Sequence, residues 1–477
     1  MPFSEFQHHQ AMTRRQLLGR QALSVGSLAL ASLLHGRAFG QAESARRLVT
    51  RSAARAKRVI FLFQSGGPSQ FETFDFKPKL NELDGQPMPS SLTNGQRLAQ
   101  IRGQELRIVG SGFQFSRYGQ SGAEISELLP YTSKVADDLL IIKSMQTDAI
   151  NHDPAITFMQ TGNTQPGRPS FGAWMSYGLG SENEELPAFV VLPSGMHQGQ
   201  PLHARYWSNG FLPGQHQGTL FRSQGDPVLY LSRPQGITDS LRRRQLDGLA
   251  QLNSLRLESV GDPAIAARIA SFELAYRMQK SVPELMDFAG ETSTTLDLYG
   301  PDVQKPGTFA ANCLLARRLA ERGVRFIQLY HRGWDQHANL PEDIRHQCRA
   351  TDQPSAALIQ DLKQRGLLKD TLVIWAGEFG RTPMLQKSSD PTTYGRDHHM
   401  KCFSIWCAGG GLATGKTVGK TDELGYNPVQ SPIHVHDLHA TLLHCLGINH
   451  EELTYSHSGR EFRLTDVGGN VMDELLG

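Results

Sequence analysis

The chain has 477 residues, of which 39% are hydrophobic and 20% charged, a globular composition that excludes a largely disordered polymer. Its formal net charge of +2 is too small to argue for nucleic acid or an anionic membrane as a partner. A single core stops growing near ~250–300 residues, so one large domain with insertions, or two domains, is expected. The five cysteines, Cys313, Cys348, Cys402, Cys407 and Cys445, form no C-x-x-C pair. Zinc-finger and thioredoxin readings therefore have no support, and scattered buried thiols are expected.

The N-terminus places Arg14 and Arg15 just before a weakly apolar run, Ala22 to Leu34, interrupted by Ser24, Gly26, Ser27 and Ser32. That run is too short and too polar for a membrane span of about 20 apolar residues. Small residues follow at Ala38, Gly40 and Ala42. This is the layout of a twin-arginine signal peptide over residues 1–42, which predicts export of the folded chain to the periplasm or beyond. No stable membrane span is expected after cleavage. Residues 43–57 read as a linker.

A continuous apolar run, Val59 to Phe63, closed by Gly66-Gly67-Pro68, reads as a buried strand of a parallel sheet. Similar runs recur at Leu139–Ile142, Phe189–Leu192, Val324–Leu329, Thr371–Ala376 and Phe403–Trp406. Helical patterns fall between them at Phe309–Glu321 and Ser355–Gln364. Strands alternating with helices predict a doubly wound, mostly parallel α/β sheet over residues 58–466, with a C-terminal tail at 467–477. An insertion at about 195–300 combines a Gly/His/Gln/Pro-rich loop with two amphipathic helices, as a packed cap or a substrate lid.

In such sheets ligands sit past the carboxyl ends of the strands, which is where the polar motifs fall. Gln64-Ser65-Gly66-Gly67-Pro68-Ser69 follows the first strand, so Ser65 and Ser69 are candidate substrate contacts. Asn151-His152-Asp153-Pro154 opens a helix, whose N-terminus favours anions. Trp334-Asp335-Gln336-His337 offers a carboxylate and an imidazole two residues apart, both ligand types for zinc or manganese. Glu378 in Gly377-Glu378-Phe379-Gly380-Arg381 either binds a metal or pairs with Arg381. In Arg396-Asp397-His398-His399, adjacent histidines point to different sides, so at most one serves a given ion.

Together these motifs resemble a widespread bacterial twin-arginine-exported family of unknown function with GGPSQ, GWDxH, GEFGRTP, GRDHH and HDLHATLLHxLG patterns. That family looks like a divergent branch of the alkaline phosphatase-like superfamily, which includes sulfatases. The resemblance implies a divalent metal ion (zinc, manganese or calcium) held by Asp335, His337 and His398 or His399, with Glu378 helping to hold it or holding a second ion. It implies an anion gripped by Arg381 or Arg396, and His152 as nucleophile, ligand or general base where sulfatases carry their nucleophile. Two departures stand out: Gln64 or Ser65 replaces the first-strand aspartate, and no cysteine lies near His152. The implied function is hydrolysis of a small sulfate or phosphate ester, or of a sulfated or phosphorylated glycan. The alternative is a catalytically degenerate metal-binding envelope protein that binds a partner or glycan.

Cleavage after roughly residue 40 is expected, and N-terminal sequencing of exported protein checks it. The twin-arginine assignment is lost if Arg14→Lys with Arg15→Lys still exports.

Overall fold

A computed structural model describes residues 53–195, 200–223, 225–229, 231–232, 236–386 and 393–477. The predicted signal peptide and most of the predicted linker lie outside the described residues. None of the described helices is long and apolar enough to cross a membrane.

The sheet strands, in chain order, are β1 (Arg58–Ser65), β2 (Leu139–Gln146), β3 (Phe189–Ser194), β4 (Thr219–Leu220), β5 (Phe326–Arg332) and β6 (Thr371–Ala376). An outer hairpin follows, β7 (Gly380–Gln386) with β8 (Gly395–His399), and then β9 (Phe403–Ala408), β10 (Lys416–Val418) and β11 (Ile433–His434). The main sheet runs in the order β10-β2-β9-β6-β1-β5-β3-β4, with β11 also pairing β2. Every pairing is parallel except those of β9, which runs antiparallel to both β2 and β6.

Side-chain alternation splits each central strand between two cores. Val59, Phe61 and Phe63 of β1 face one layer, while Ile60 and Leu62 face the other. On the first side pack α1 (His152–Thr161), α2 (Phe171–Leu179) and, near the C-terminus, α6 (Val435–Cys445). On the second side pack α4 (Phe309–Glu321) and α5 (Leu340–Gln364) together with the end of α3 (Pro263–Met286). Helices on both faces of a mostly parallel sheet make this the expected doubly wound α/β class.

Two predicted boundaries differ. The helix expected at Ser355–Gln364 extends back to Leu340 and carries Pro354 inside it. An internal proline costs a helix about 3 kcal/mol. Ile344, Cys348, Leu358, Ile359 and Leu362, buried on both sides of it, offset that cost. The tail at 467–477 is packed: Leu475 is buried with the first-side core. Within the insertion, Met278, Val282 and Leu285 at the end of α3 join the second-side core. All five cysteines are buried and free.

Several histidines serve packing. His331 sits between Ser194 Oγ at 3.0 Å and Gln347 Oε1 at 2.9 Å, and His439 Nε2 donates to Met159 O at 2.9 Å. His216 Nδ1 lies 2.9 Å from Ser176 Oγ. Burial pushes His216 and His331 down to about 4 and His439 to about 3. Unfolded histidine titrates near ~6.5, so below that pH the unfolded chain takes up protons that the folded chain refuses. The three together should cost up to about 4 kcal/mol per pH unit as pH falls from ~6.5 toward ~4. Guanidinium unfolding at pH 7, 6 and 5 checks this; a flat profile would mean that these rings charge in the fold.

Candidate metal centre

The carboxyl ends of β5, β1 and β6 lie side by side, and the motif residues follow each of them. Past β5 the chain turns at Trp334, whose indole Nε1 donates to Gln64 Oε1 at 2.9 Å, and presents Asp335. Past β1 the Gly66-Gly67 turn crosses against that segment. Gly66 has φ +122°, and a Cβ there would lie 2.4 Å from Asp335 N. Past β6, the fully buried Glu378 accepts the Gly66 N–H at 2.9 Å.

The β7–β8 hairpin closes the other side. Its register pairs His398 with Arg381, after an irregularity between Arg396 and His398. Both residues reach Asp335. Gly395 lets the hairpin pass the backbone of His337, where a Cβ would meet its carbonyl carbon at 2.0 Å.

Asp335 Oδ1 is the focus. Arg381 Nη2 donates to it at 2.8 Å. The Nε2 atoms of His337, His152 and His398 lie 2.9, 3.1 and 3.4 Å from it. Asp335 Oδ2 accepts from Gln200 Nε2 at 2.9 Å. Burial works to raise the Asp335 carboxyl, but the three histidines and the Arg381 charge outweigh it and hold it far below the usual carboxylate range. Burial lowers His152, and the hydrogen bonds and charges of Asp335 and Glu378 more than reverse this, leaving it raised. His398 is pushed down to about 4, chiefly by burial, with Asp335 opposing and Arg381 reinforcing.

The far nitrogen of each ring is pinned. His398 Nδ1 lies 2.8 Å from Ile150 O, a backbone carbonyl that only accepts, so Nδ1 carries the proton. His152 Nδ1 meets Glu378 Oε1 at 2.6 Å, and His337 Nδ1 meets Gln386 Oε1 at 2.7 Å. With Nδ1 carrying the proton, the neutral form of each ring would turn its Nε2 lone pair toward the cluster, as a metal ligand needs, whereas an added Nε2 proton would instead be donated to Asp335. Among the described residues, His152 Nε2 is buried without an aligned hydrogen bond, although Asp335 Oδ1 is 3.1 Å away. Ligand atoms of His152, Asp335, His337 and His398 all lie within 4.8 Å of one another. Four electron-rich atoms at this spacing repel unless a cation or an added proton lies among them. Three imidazoles and one carboxylate fit a divalent ion, and their Nδ1 partners are the outer contacts that fix ligating histidines.

Not every expected residue joins this cluster. His399 points to the other side of β8, where its Nε2 meets Tyr426 O at 2.7 Å and its ring stacks on Tyr426. Strand alternation forbids both neighbours from facing one cavity. Glu378 stands behind His152 rather than among the converging atoms. Arg396 is sealed in a fully buried ion pair with Glu72 at 2.8 Å and donates to Thr382 O and Gly110 O. Arg381 spends its guanidinium on Asp335 and on the carbonyls of Gly66, Gly67, Trp334 and Arg396. Neither arginine is free to grip an anion as expected. Among the described residues, Ser65 Oγ and Ser69 Oγ are buried without a hydrogen-bond partner.

Gln100, Gln200 and Gln386 were not indicated by any motif. Nothing in their local sequence marks them, because they are brought in by loops and the hairpin. At the C-terminal HDLHATLL segment, His434 and Asp437 form a capping box on α6, and His439 Nε2 donates to Met159 O.

A family model described as "Protein of unknown function (DUF1501)" matches residues 56–476. No curated protein matches the chain. Among solved structures, a sulfatase from Pseudoalteromonas sp. is 12% identical, over 91% of this chain and 75% of that one, at TM-score 0.38. The lipoteichoic acid synthase LtaP from Listeria monocytogenes is 9% identical over 89% and 80%, at TM-score 0.34. Alkaline phosphatase from the Antarctic bacterium TAB5 is 13% identical over 75% and 92%, at TM-score 0.28. At such scores the residues of the chain itself must carry any assignment.

Gly66→Ala should destabilise the fold by about 3 kcal/mol or more, since strain at φ +122° adds to a clash with the Asp335 backbone. Gly85→Ala, at φ +75° with open space around it, should cost only about 1 kcal/mol. Denaturant midpoints of the two variants give the comparison; equal losses would mean that the Gly66 turn tolerates a side chain.

Proposed function

We propose that this chain, which belongs to the DUF1501 family, is an exported, metal-dependent hydrolase of sulfate or phosphate esters. The observation that carries the reading is the convergence of three Nε2 atoms on one carboxylate oxygen, each ring with its Nδ1 side held by an acceptor. A donor set dominated by imidazole suits zinc and disfavours calcium, which takes oxygen ligands. A bound divalent ion would supply Lewis acidity toward an ester oxygen and lower the pKa of water.

The chain's own residues prepare that site. Arg381 and Gln200 each donate to one oxygen of Asp335, which restrains the carboxylate at both ends. Glu378 holds the Nδ1 proton of His152, keeping Nε2 directed at the cluster. Gly66 N–H in turn fixes Glu378. In the motif resemblance His152 matches the sulfatase nucleophile position, but its contacts with Glu378 and Asp335 favour a ligand role, and the reading takes water as the attacking group. Its oxygen bonds to sulfur or phosphorus, the ester oxygen leaves, and one water proton ends on the departing alcohol. The motif resemblance to the alkaline phosphatase-like superfamily supports the same reaction class, and the N-terminal arginine pair supports export.

Elemental analysis of the purified mature chain should find about one transition-metal equivalent. Asp335→Asn with His398→Gln should abolish it. Glu378→Gln should weaken metal affinity about 10- to 100-fold, as loss of an outer contact does. Unchanged metal content in the double variant would overturn the assignment. Turnover is then screened with aryl sulfate, phosphomonoester and phosphodiester substrates. A metal-loaded chain inert toward all three would leave a binding protein in place of a hydrolase.

A further inference from the structure

Gln100 belongs to none of the motifs, is exposed, and still reaches the metal cluster: its Nε2 lies 3.0 Å from His337 Nε2. Its backbone is tied down, because Gln100 N and Ile101 N donate to Oδ2 of the buried Asp397 at 2.8 and 3.2 Å. Its carboxamide is tied down as well. Oε1 accepts from Gln386 Nε2 at 3.2 Å, and Gln386 Oε1 accepts from His337 Nδ1 at 2.7 Å. The three side chains thus close a ring in which only one link, the Gln100 N–H to His337 Nε2, ends on a metal-ligand atom.

We infer that Gln100 grips a non-bridging oxygen of the substrate, and that the site selects monoanionic esters, sulfate monoesters or phosphodiesters, over dianionic phosphomonoesters. The inference rests on the metal-dependent reading above. When His337 Nε2 gives its lone pair to an ion, the Gln100 N–H is released from it. The Asp397 and Gln386 anchors remain, so the amide stays on the solvent side of the cluster with an unused donor. A neutral amide offers direction without charge.

The charges point the same way. In direct contact with the cluster, a divalent ion and Arg381 set against Asp335 and Glu378 leave a single net positive charge, and the buried Asp397 behind Gln100 lowers it further. A monoanion is the most that such a site balances. A dianion would leave one negative charge uncompensated beside buried groups, which is costly. Arg381 and Arg396 cannot supply the difference, because both are spent on internal partners. Arg332, half-buried at the end of β5, has no ion-pair partner among the described residues and is the competing candidate.

Calorimetry with ligands that cannot be hydrolysed separates these outcomes without relying on turnover. The metal-loaded mature chain is titrated at pH 8.5 with benzenesulfonate and methyl phenylphosphonate as monoanions and with phenylphosphonate as dianion. The monoanions should bind about tenfold more tightly than phenylphosphonate, and Gln100→Ala should lose about tenfold of monoanion affinity at unchanged metal content. Gln100→Glu should lose more, through like-charge repulsion. Tighter binding of phenylphosphonate, or an indifferent Gln100→Ala, overturns the inference. If a dianion preference disappears in Arg332→Gln, Arg332 is the gripping residue instead. A wild-type chain that retains no ion fails the reading beneath; one that retains it and fails these titrations fails this inference alone.

Discussion

The site depends on one oxygen atom. Asp335 Oδ1 takes the charge of Arg381 and faces three imidazole nitrogens, while its carboxylate is only partly open to solvent. A buried carboxylate is tolerable only when paired and hydrogen-bonded. Arg381 supplies the pairing, and it does more than neutralise. Its guanidinium also collects carbonyls from the Gly66-Gly67 turn, from Trp334 and from Arg396. Three separate stretches of backbone are thereby fixed relative to one carboxylate. Such a geometry holds imidazoles in place before any ligand arrives, which is what preorganisation requires.

The sheet makes this convergence affordable. Because β5, β1 and β6 are neighbours and parallel, their carboxyl ends deliver three loops to one edge. β9 runs the other way, so the chain can leave the β7–β8 hairpin at the site edge and enter the sheet directly, without a crossover. The hairpin that carries Arg381 and His398 is thus a detour between two adjacent strands of the same sheet.

The six longer sheet strands, β1, β2, β3, β5, β6 and β9, were legible because they are largely buried and carry apolar runs, whereas the short, partly exposed β4, β10 and β11 were not. β6 was read at its exact bounds, Thr371–Ala376, and α4 at Phe309–Glu321. The loops carrying Asp335, His337 and His152 were legible because acids and histidines cluster at strand ends. The hairpin was not. Gly380–Gln386 and Gly395–His399 alternate too little in hydrophobicity to show a strand period, and their sides are buried by partners distant in sequence. The fates of the arginines were equally hidden. A guanidinium near a histidine cluster looks the same in sequence whether it faces an anion or a set of carbonyls, and Glu72, the partner of Arg396, lies 324 residues away.

That last distance is typical of the whole centre. Gly66 and Glu378 are 312 residues apart, His152 and Glu378 226, Ile150 and His398 248. Contacts of such separation carry the loop-closure cost that slows folding in proteins of high contact order. A nascent chain that has emerged only as far as Arg332 holds the strands β1, β3 and β5 but none of Glu378, Arg381 and His398. The centre cannot begin to assemble until the C-terminal quarter of the chain is available, so it is among the last parts of the molecule to become whole. A completed centre therefore reports that the loops after β1, β5 and β6 and the β7–β8 hairpin have come together.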